Sequence, residues 1–271
     1  MNELIKKITL KIAEFNIQIE IYQGENKFFR DSLLNIFNSY STFFVKSNKN
    51  PDFIIKVKNT SMVDYILKKE NKIEKYYKIS AIFYPKKRTV IINHFTSQAE
   101  FEMILKEILS KYLLINSGFF MHGSASLLNK EALLFIGNPG SGKSTITKLI
   151  ENKMRILADD IFIIRKINKK IFFFQTPFHE KNYQYNKYNC KYPIKCFFIL
   201  KKNHQVKLYR LKNECKKLSY ILDQLLIPHK NLNKNQLKII KDLSQRINFY
   251  ILHFSLEGQR IIEKIIHKLI S

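Results

Sequence analysis

Nowhere in the 271 residues does an uninterrupted apolar run reach the roughly eighteen that a membrane-spanning helix needs, so no membrane span is expected. Nor does the start of the chain carry the unbroken apolar stretch and small-residue cleavage site of a secretory signal, because Lys6, Lys7, Lys11 and Glu14 interrupt it. The expected location is therefore cytoplasmic. Cysteine is scarce as well. Cys190, Cys196 and Cys215 cannot all pair within one chain, and none stands in a C-x-x-C spacing, so neither a redox pair nor a zinc knuckle is suggested. His204 lies between two of them, but two thiols and one imidazole at such irregular spacing make a poor metal set.

Acidic residues are few: 22 Asp and Glu stand against 47 Lys and Arg, a formal net charge of +25. A surplus of this kind can serve nucleic acid by neutralising phosphates and releasing counterions. Here the lysines are spread from Lys6 to Lys268, mostly in twos, and no dense basic tract flanks an aromatic platform. Lys, Asn and Ile are abundant together, which AT-rich coding produces by codon usage alone. Nucleic acid is therefore not the expected partner, and an acidic peptide or protein would satisfy the same surface.

What is present is a 45% hydrophobic composition, ordinary for a globular protein with a core. The pattern divides into an N-terminal α/β module, residues 1–115, and a second domain, residues 116–271, without internal repeats. In the first, Phe15, Ile17, Ile19 and Ile21 alternate as in a half-buried strand. Residues 28–44 have helix-like spacing, Phe53 to Val57 reads as a strand, and residues 79–84 and 89–92 flank Pro85–Arg88 as a hairpin. A helix is predicted from Ser97 to Leu114, with Ser97 and Glu100 as a capping box and Gly118 just beyond its end. In the second, apolar strands are predicted over 119–128 and 132–136, then a helix over 144–152, a strand over 155–158 and a hairpin over 161–174. Residues 177–192 read as a surface loop. Strands near 195–200 and 206–211, two helices, a strand at 250–254 and a terminal helix over 257–270 complete the pattern.

The chemistry concentrates in Gly137-Asn138-Pro139-Gly140-Ser141-Gly142-Lys143-Ser144, a full match to the P-loop pattern G-x-x-x-x-G-K-[S/T] between a strand and a helix. Gly137, Gly140 and Gly142 permit backbone conformations that turn successive amides toward phosphate oxygens, and the helix N-terminus adds its partial positive charge. Lys143 supplies an ammonium for β- and γ-phosphates, and Ser144 a hydroxyl for Mg²⁺. Thr145 completes the nucleotide-binding run. Asp159-Asp160 follows an apolar strand, where carboxylates can hold Mg²⁺ or accept a proton from an attacking hydroxyl. Alone, that pair would read equally well as a solvated turn. His122, on the strand run before the P-loop strand, can project toward the same phosphates or be a satisfied core histidine.

Taken together, His122-Gly123-Ser124-Ala125-Ser126, the P-loop and Ala158-Asp159-Asp160 resemble the core of the HPr kinase/phosphorylase family and its shorter relatives, the HPr kinase-like serine kinases. The match is specific over residues 119–160 and loose beyond them. The resemblance implies an α/β fold with the P-loop kinase core akin to phosphoenolpyruvate carboxykinase, a mixed sheet with flanking helices. It implies ATP-dependent phosphorylation of a serine-type hydroxyl of a peptide or protein. By position, His122, Lys143, Asp159 and Asp160 match the catalytic set, Ser144 matches the Mg²⁺ ligand, and Asp159 or Asp160 is the base. A homo-oligomer is compatible with it. Two departures point toward the shorter relatives: residues 171–181, IFFFQTPFHEK, lack the glutamate- and glycine-rich signature of the true HPr enzymes, and Thr145 replaces their acidic residue. The alternatives are a nucleic-acid-associated P-loop NTPase and a catalytically inactive nucleotide-binding regulator.

Overall fold

In the computed structural model, residues 3–22, 35–47, 49–58, 81–93, 97–178, 187–226, 232–255 and 262 are described. The chain divides into two compact units, Met1–Ile108 and Leu109–Ser271.

The first unit begins with a strand that the sequence reading did not assign. β1 (Leu4–Ile12) and β2 (Phe15–Tyr22) form an antiparallel hairpin, with Ala13 and Glu14 at positive φ in its two-residue turn. The lysines that interrupt the apolar run of β1 are partly exposed, while Ile8, Leu10 and Ile12 are buried, as the period of two requires. β2 runs parallel to β3 (Phe53–Val57), and β3 parallel to β5 (Thr89–Ile92). β4 (Ala81–Tyr84) pairs antiparallel with β5, so the order is β1-β2-β3-β5-β4. Of the helix expected over 28–44, residues 28–34 lie outside the described residues; residues 35–38 are helical, and Ser41–Phe43 forms a 3-10 turn.

α1 spans Gln98–Ile115 and contributes residues to both units. Ser97 Oγ accepts a hydrogen bond from the Glu100 amide at 3.2 Å. Phe101 packs edge-on against Phe37 and Tyr40, with centroids 5.0 and 5.7 Å apart. The residue in the left-handed region after this helix is Ser117, φ +56, not Gly118. Gly118 is needed for space instead, since a Cβ there would lie 2.7 Å from Leu113 Cδ2.

The second unit contains a nine-stranded mixed sheet with flanking helices. The single strand expected over 119–128 is two, β6 (Gly118–His122) and β7 (Ser124–Leu128). They belong to different ladders: β6 pairs with β10 (Ile161–Ile167), whereas β7 pairs with β8 (Glu131–Ile136). The break falls at Gly123, where a Cβ would meet Phe135 O at 2.9 Å and Phe162 Cε1 at 3.0 Å. Only a residue without a side chain passes between those two neighbours undisturbed.

β9 (Arg155–Ala158) lies antiparallel to β7, so β8 and β9 run in the same direction with β7 between them. β10 and β11 (Lys170–Phe174) form the expected hairpin, with Asn168 and Lys169 at positive φ. β12 (Lys191–Lys202) starts earlier than expected, inside the run read as a loop. Its first residues pair with β11, and later ones run parallel to both β8 and β14 (Asn248–Phe254). β13 (Lys207–Arg210) pairs with β14.

β8 is buried on both faces. Ala132, Leu134 and Ile136 join a core that takes in Phe162, Phe173, Phe197 and residues of α3 (Glu214–Leu222) and α4 (Lys234–Arg246). Leu133 and Phe135 join a second core with Ile146 and Ile150 of α2 (Lys143–Ile150), Phe198 and Phe254. A strand covered on both sides is the reason residues 132–136 read as one continuous apolar run. The terminal helix expected over 257–270 lies outside the described residues apart from Ile262, which is buried in the second core.

Candidate functional site

β8 leads straight into the glycine-rich loop. Gly137, Gly140 and Gly142 all take positive φ, at +154, +78 and +99. Space adds a second demand at two of them: a Cβ on Gly142 would lie 2.5 Å from Phe254 Cζ, and one on Gly137 would lie 2.7 Å from Ser141 Oγ. Asn138, Pro139 and Gly140 form the exposed tip, and the Ile146 amide bonds Gly142 O at 2.9 Å to open α2. Positive-φ residues before a helix N-terminus make a concavity of amides suited to an anion.

Lys143, the first residue of α2, is buried and folds back onto this loop. Its Nζ donates to Gly137 O at 2.8 Å and to Asn138 O at 3.3 Å. Burial pushes the ammonium below its ordinary value, while the carboxylates of Asp160 and Asp159 pull it partly back. Ser141 Oγ is buried without a hydrogen-bond partner among the described residues. A buried cation resting on carbonyls and an orphaned hydroxyl beside a helix N-terminus fit a phosphate group chemically. Ser144 and Thr145 follow Lys143 in the first turn of α2, half-buried.

The two aspartates occupy different environments. Asp159 is buried, and the Thr147 hydroxyl lies 3.2 Å from its Oδ1. Asp160 is 59% exposed, and its Oδ1 is 3.2 Å from His122 Nε2. The backbone holds this second pair from both sides: the Gly123 amide donates to Asp160 O at 3.0 Å, and His122 pairs with Ile161 across the β6–β10 ladder. His122 therefore comes from β6, which is not a neighbour of β8, and reaches the site where β6 gives way to β7. It is half-buried, not a core residue. Because β8 and β9 run the same way, their C-terminal ends bring the glycine-rich loop and Asp159 to one side of the sheet.

Several contributing residues carry no role of their own in the sequence pattern. Thr147 stands one helical turn after Lys143, and Ser124 Oγ donates to Lys143 O at 3.3 Å. The Phe254 ring lies under Gly142, and the His122 amide donates to Gln224 O at 2.8 Å. Thr147 had a readable signal, since positions four apart share a helix face. Phe254 and Gln224 had none, because their placement depends on strand order and on the turn after α3.

Among the described residues no three His, Cys, Asp or Glu side chains cluster as a metal site. The carboxylate and hydroxyl groups at hand suit a hard cation that takes its remaining ligands from phosphate oxygens and water. No helix of the described residues is long and apolar enough to cross a membrane.

No family model matches the chain, and no curated protein matches it. Among solved structures it has a distant likeness to the Hpr(Ser) kinase/phosphatase from Coxiella burnetii. The identity is 12%, the TM-score is 0.33, and the match covers 56% of this chain and 99% of that one. A likeness at that score carries no functional argument, so the functional reading rests on the site's own geometry.

Proposed function

We propose that the chain is an ATP-dependent phosphotransferase acting on a serine-type hydroxyl of a peptide or small protein. The observation that carries the reading is the gathering of Lys143, a buried Asp159 and an exposed Asp160–His122 pair at the end of β8 and β9. When bound, Mg-ATP supplies the γ-phosphoryl group and a cation that offsets phosphate charge. The loop amides and Lys143, whose Nζ is held at the loop by Gly137 O and Asn138 O, would bind and orient the phosphates. Ser144 and Asp159 are the residues that would hold Mg²⁺. Asp160 faces solvent and is the better placed carboxylate to take the proton of an arriving hydroxyl, with His122 fixing its orientation.

An acidic acceptor suits the basic composition. Lys201 and Lys202 continue β12 past Leu200, whose carbonyl is close to Gly137, and the exposed Lys207 of β13 is level with Lys201 across β14. That cationic rim would draw in an acidic segment. Cytoplasmic location and self-association belong to the same proposal.

The test is incubation of the full chain with Mg-ATP and acidic peptide or carrier-protein acceptors, read by mass spectrometry for a phosphate adduct, with Lys143→Ala as the control. The expected result is a phosphoserine that the control does not form. ATP binding without any adduct on such acceptors would leave the inactive-regulator reading standing in its place.

A further inference from the structure

We propose that Thr147 is a positioning residue for Asp159, locking its carboxylate against the glycine-rich loop's helix so that it is set for the cation that accompanies ATP. The inference rests on the phosphotransferase reading of the same site.

Thr147 lies four residues after Lys143, so its side chain shares a helix face with that of Lys143. It is fully buried. Its hydroxyl is near three oxygens: Ser144 O at 2.9 Å, Asp159 Oδ1 at 3.2 Å and Lys143 O at 3.4 Å. A threonine hydroxyl has one proton, so these acceptors compete for it. Both carbonyls are within α2 and receive the amide donors of its own ladder, and Lys143 O also receives Ser124 Oγ at 3.3 Å. The carboxylate is the charged acceptor, and a charge-assisted bond is stronger than a neutral one. The hydroxyl proton is therefore directed to the Asp159 carboxylate. This ties β9 to the first turns of α2, the helix that begins with Lys143 and Ser144.

The experiment measures ATP binding by calorimetry for the full-length wild type, Thr147→Val and Thr147→Ser, without Mg²⁺ and across a Mg²⁺ series. Valine keeps the branched shape and removes the hydroxyl; serine keeps the hydroxyl and removes a methyl. Loss of an outer-shell hydrogen bond to a metal ligand should raise the Mg²⁺ midpoint about 10-fold in Thr147→Val, with Mg²⁺-free ATP binding unchanged. Thr147→Ser should keep the wild-type midpoint. A wild-type midpoint in Thr147→Val, or an equal rise in Thr147→Ser, would overturn the positioning role and leave the phosphotransferase reading intact. A wild type that binds no ATP would overturn both.

Discussion

At the scale of single residues, burial and charge act against one another on Lys143. Its proton affinity in the folded chain is below the ordinary lysine value, because the cost of burial exceeds the attraction of Asp160 and Asp159. Across the interval between those two values the unfolded chain holds more protons than the folded one, so stability rises with pH there and is flat below it. Urea unfolding of wild type and Lys143→Met over an alkaline pH series should show this rise only as a difference between the two proteins. A pH-independent difference would refute it. The aspartates invite a second comparison. With Asp160 exposed beside His122 and Asp159 buried beside Thr147, Asp160→Asn should keep ATP binding and lose phosphoryl transfer by at least about 100-fold, within the range general base catalysis supplies. Asp159→Asn should instead raise the Mg²⁺ requirement. Calorimetry and adduct formation separate the two outcomes, and reversed phenotypes would reverse the assignment.

At the scale of elements, the loop between β8 and α2 is where backbone conformation decides function. Gly140 and Gly142 both hold positive φ, but only Gly142 also lacks room, with Phe254 beneath it. Gly140→Ala should therefore cost about 1–2 kcal/mol, the left-handed backbone penalty alone. Gly142→Ala combines that strain with a clash against a buried ring and should cost about 2–4 kcal/mol and abolish ATP binding. Thermal melting checks the stability difference and calorimetry the binding. The glycine pattern was readable from the sequence because its cause is local. The β6–β7 break at Gly123 was not, because the atoms that require it, Phe135 O and Phe162 Cε1, come from β8 and β10. β1 is not legible for a different reason: its lysines mask an alternation of two.

At the scale of the whole molecule, the charge of +25 is the property that most invites misreading. If that surplus served nucleic acid, added DNA or RNA would raise ATP turnover and bind with steep salt dependence. The proposed function predicts the contrary: turnover should follow an acidic peptide acceptor and stay unchanged when nucleic acid is added. Stimulation by nucleic acid in a turnover assay would reinstate the NTPase reading. The two compact units and the double-sided burial of β8 are likewise properties of the entire chain, although the continuous apolar run over 132–136 announced the second.

What the sequence determined by itself was whatever depends on near neighbours along the chain: the glycine-rich loop between strand and helix, the Asp159-Asp160 pair at a strand end, and most hairpins. Their causes are backbone sterics and the periods of helix and strand, which act over a few residues. Only the tertiary structure decided that Asp159 is buried against Thr147 while Asp160 faces His122 in the open. Adjacent identical residues carry no local signal of which one is covered. That difference comes from β7, which lies between β8 and β9 and makes them run the same way, and from the chain leaving the β6–β10 ladder at Gly123; both are consequences of strand order.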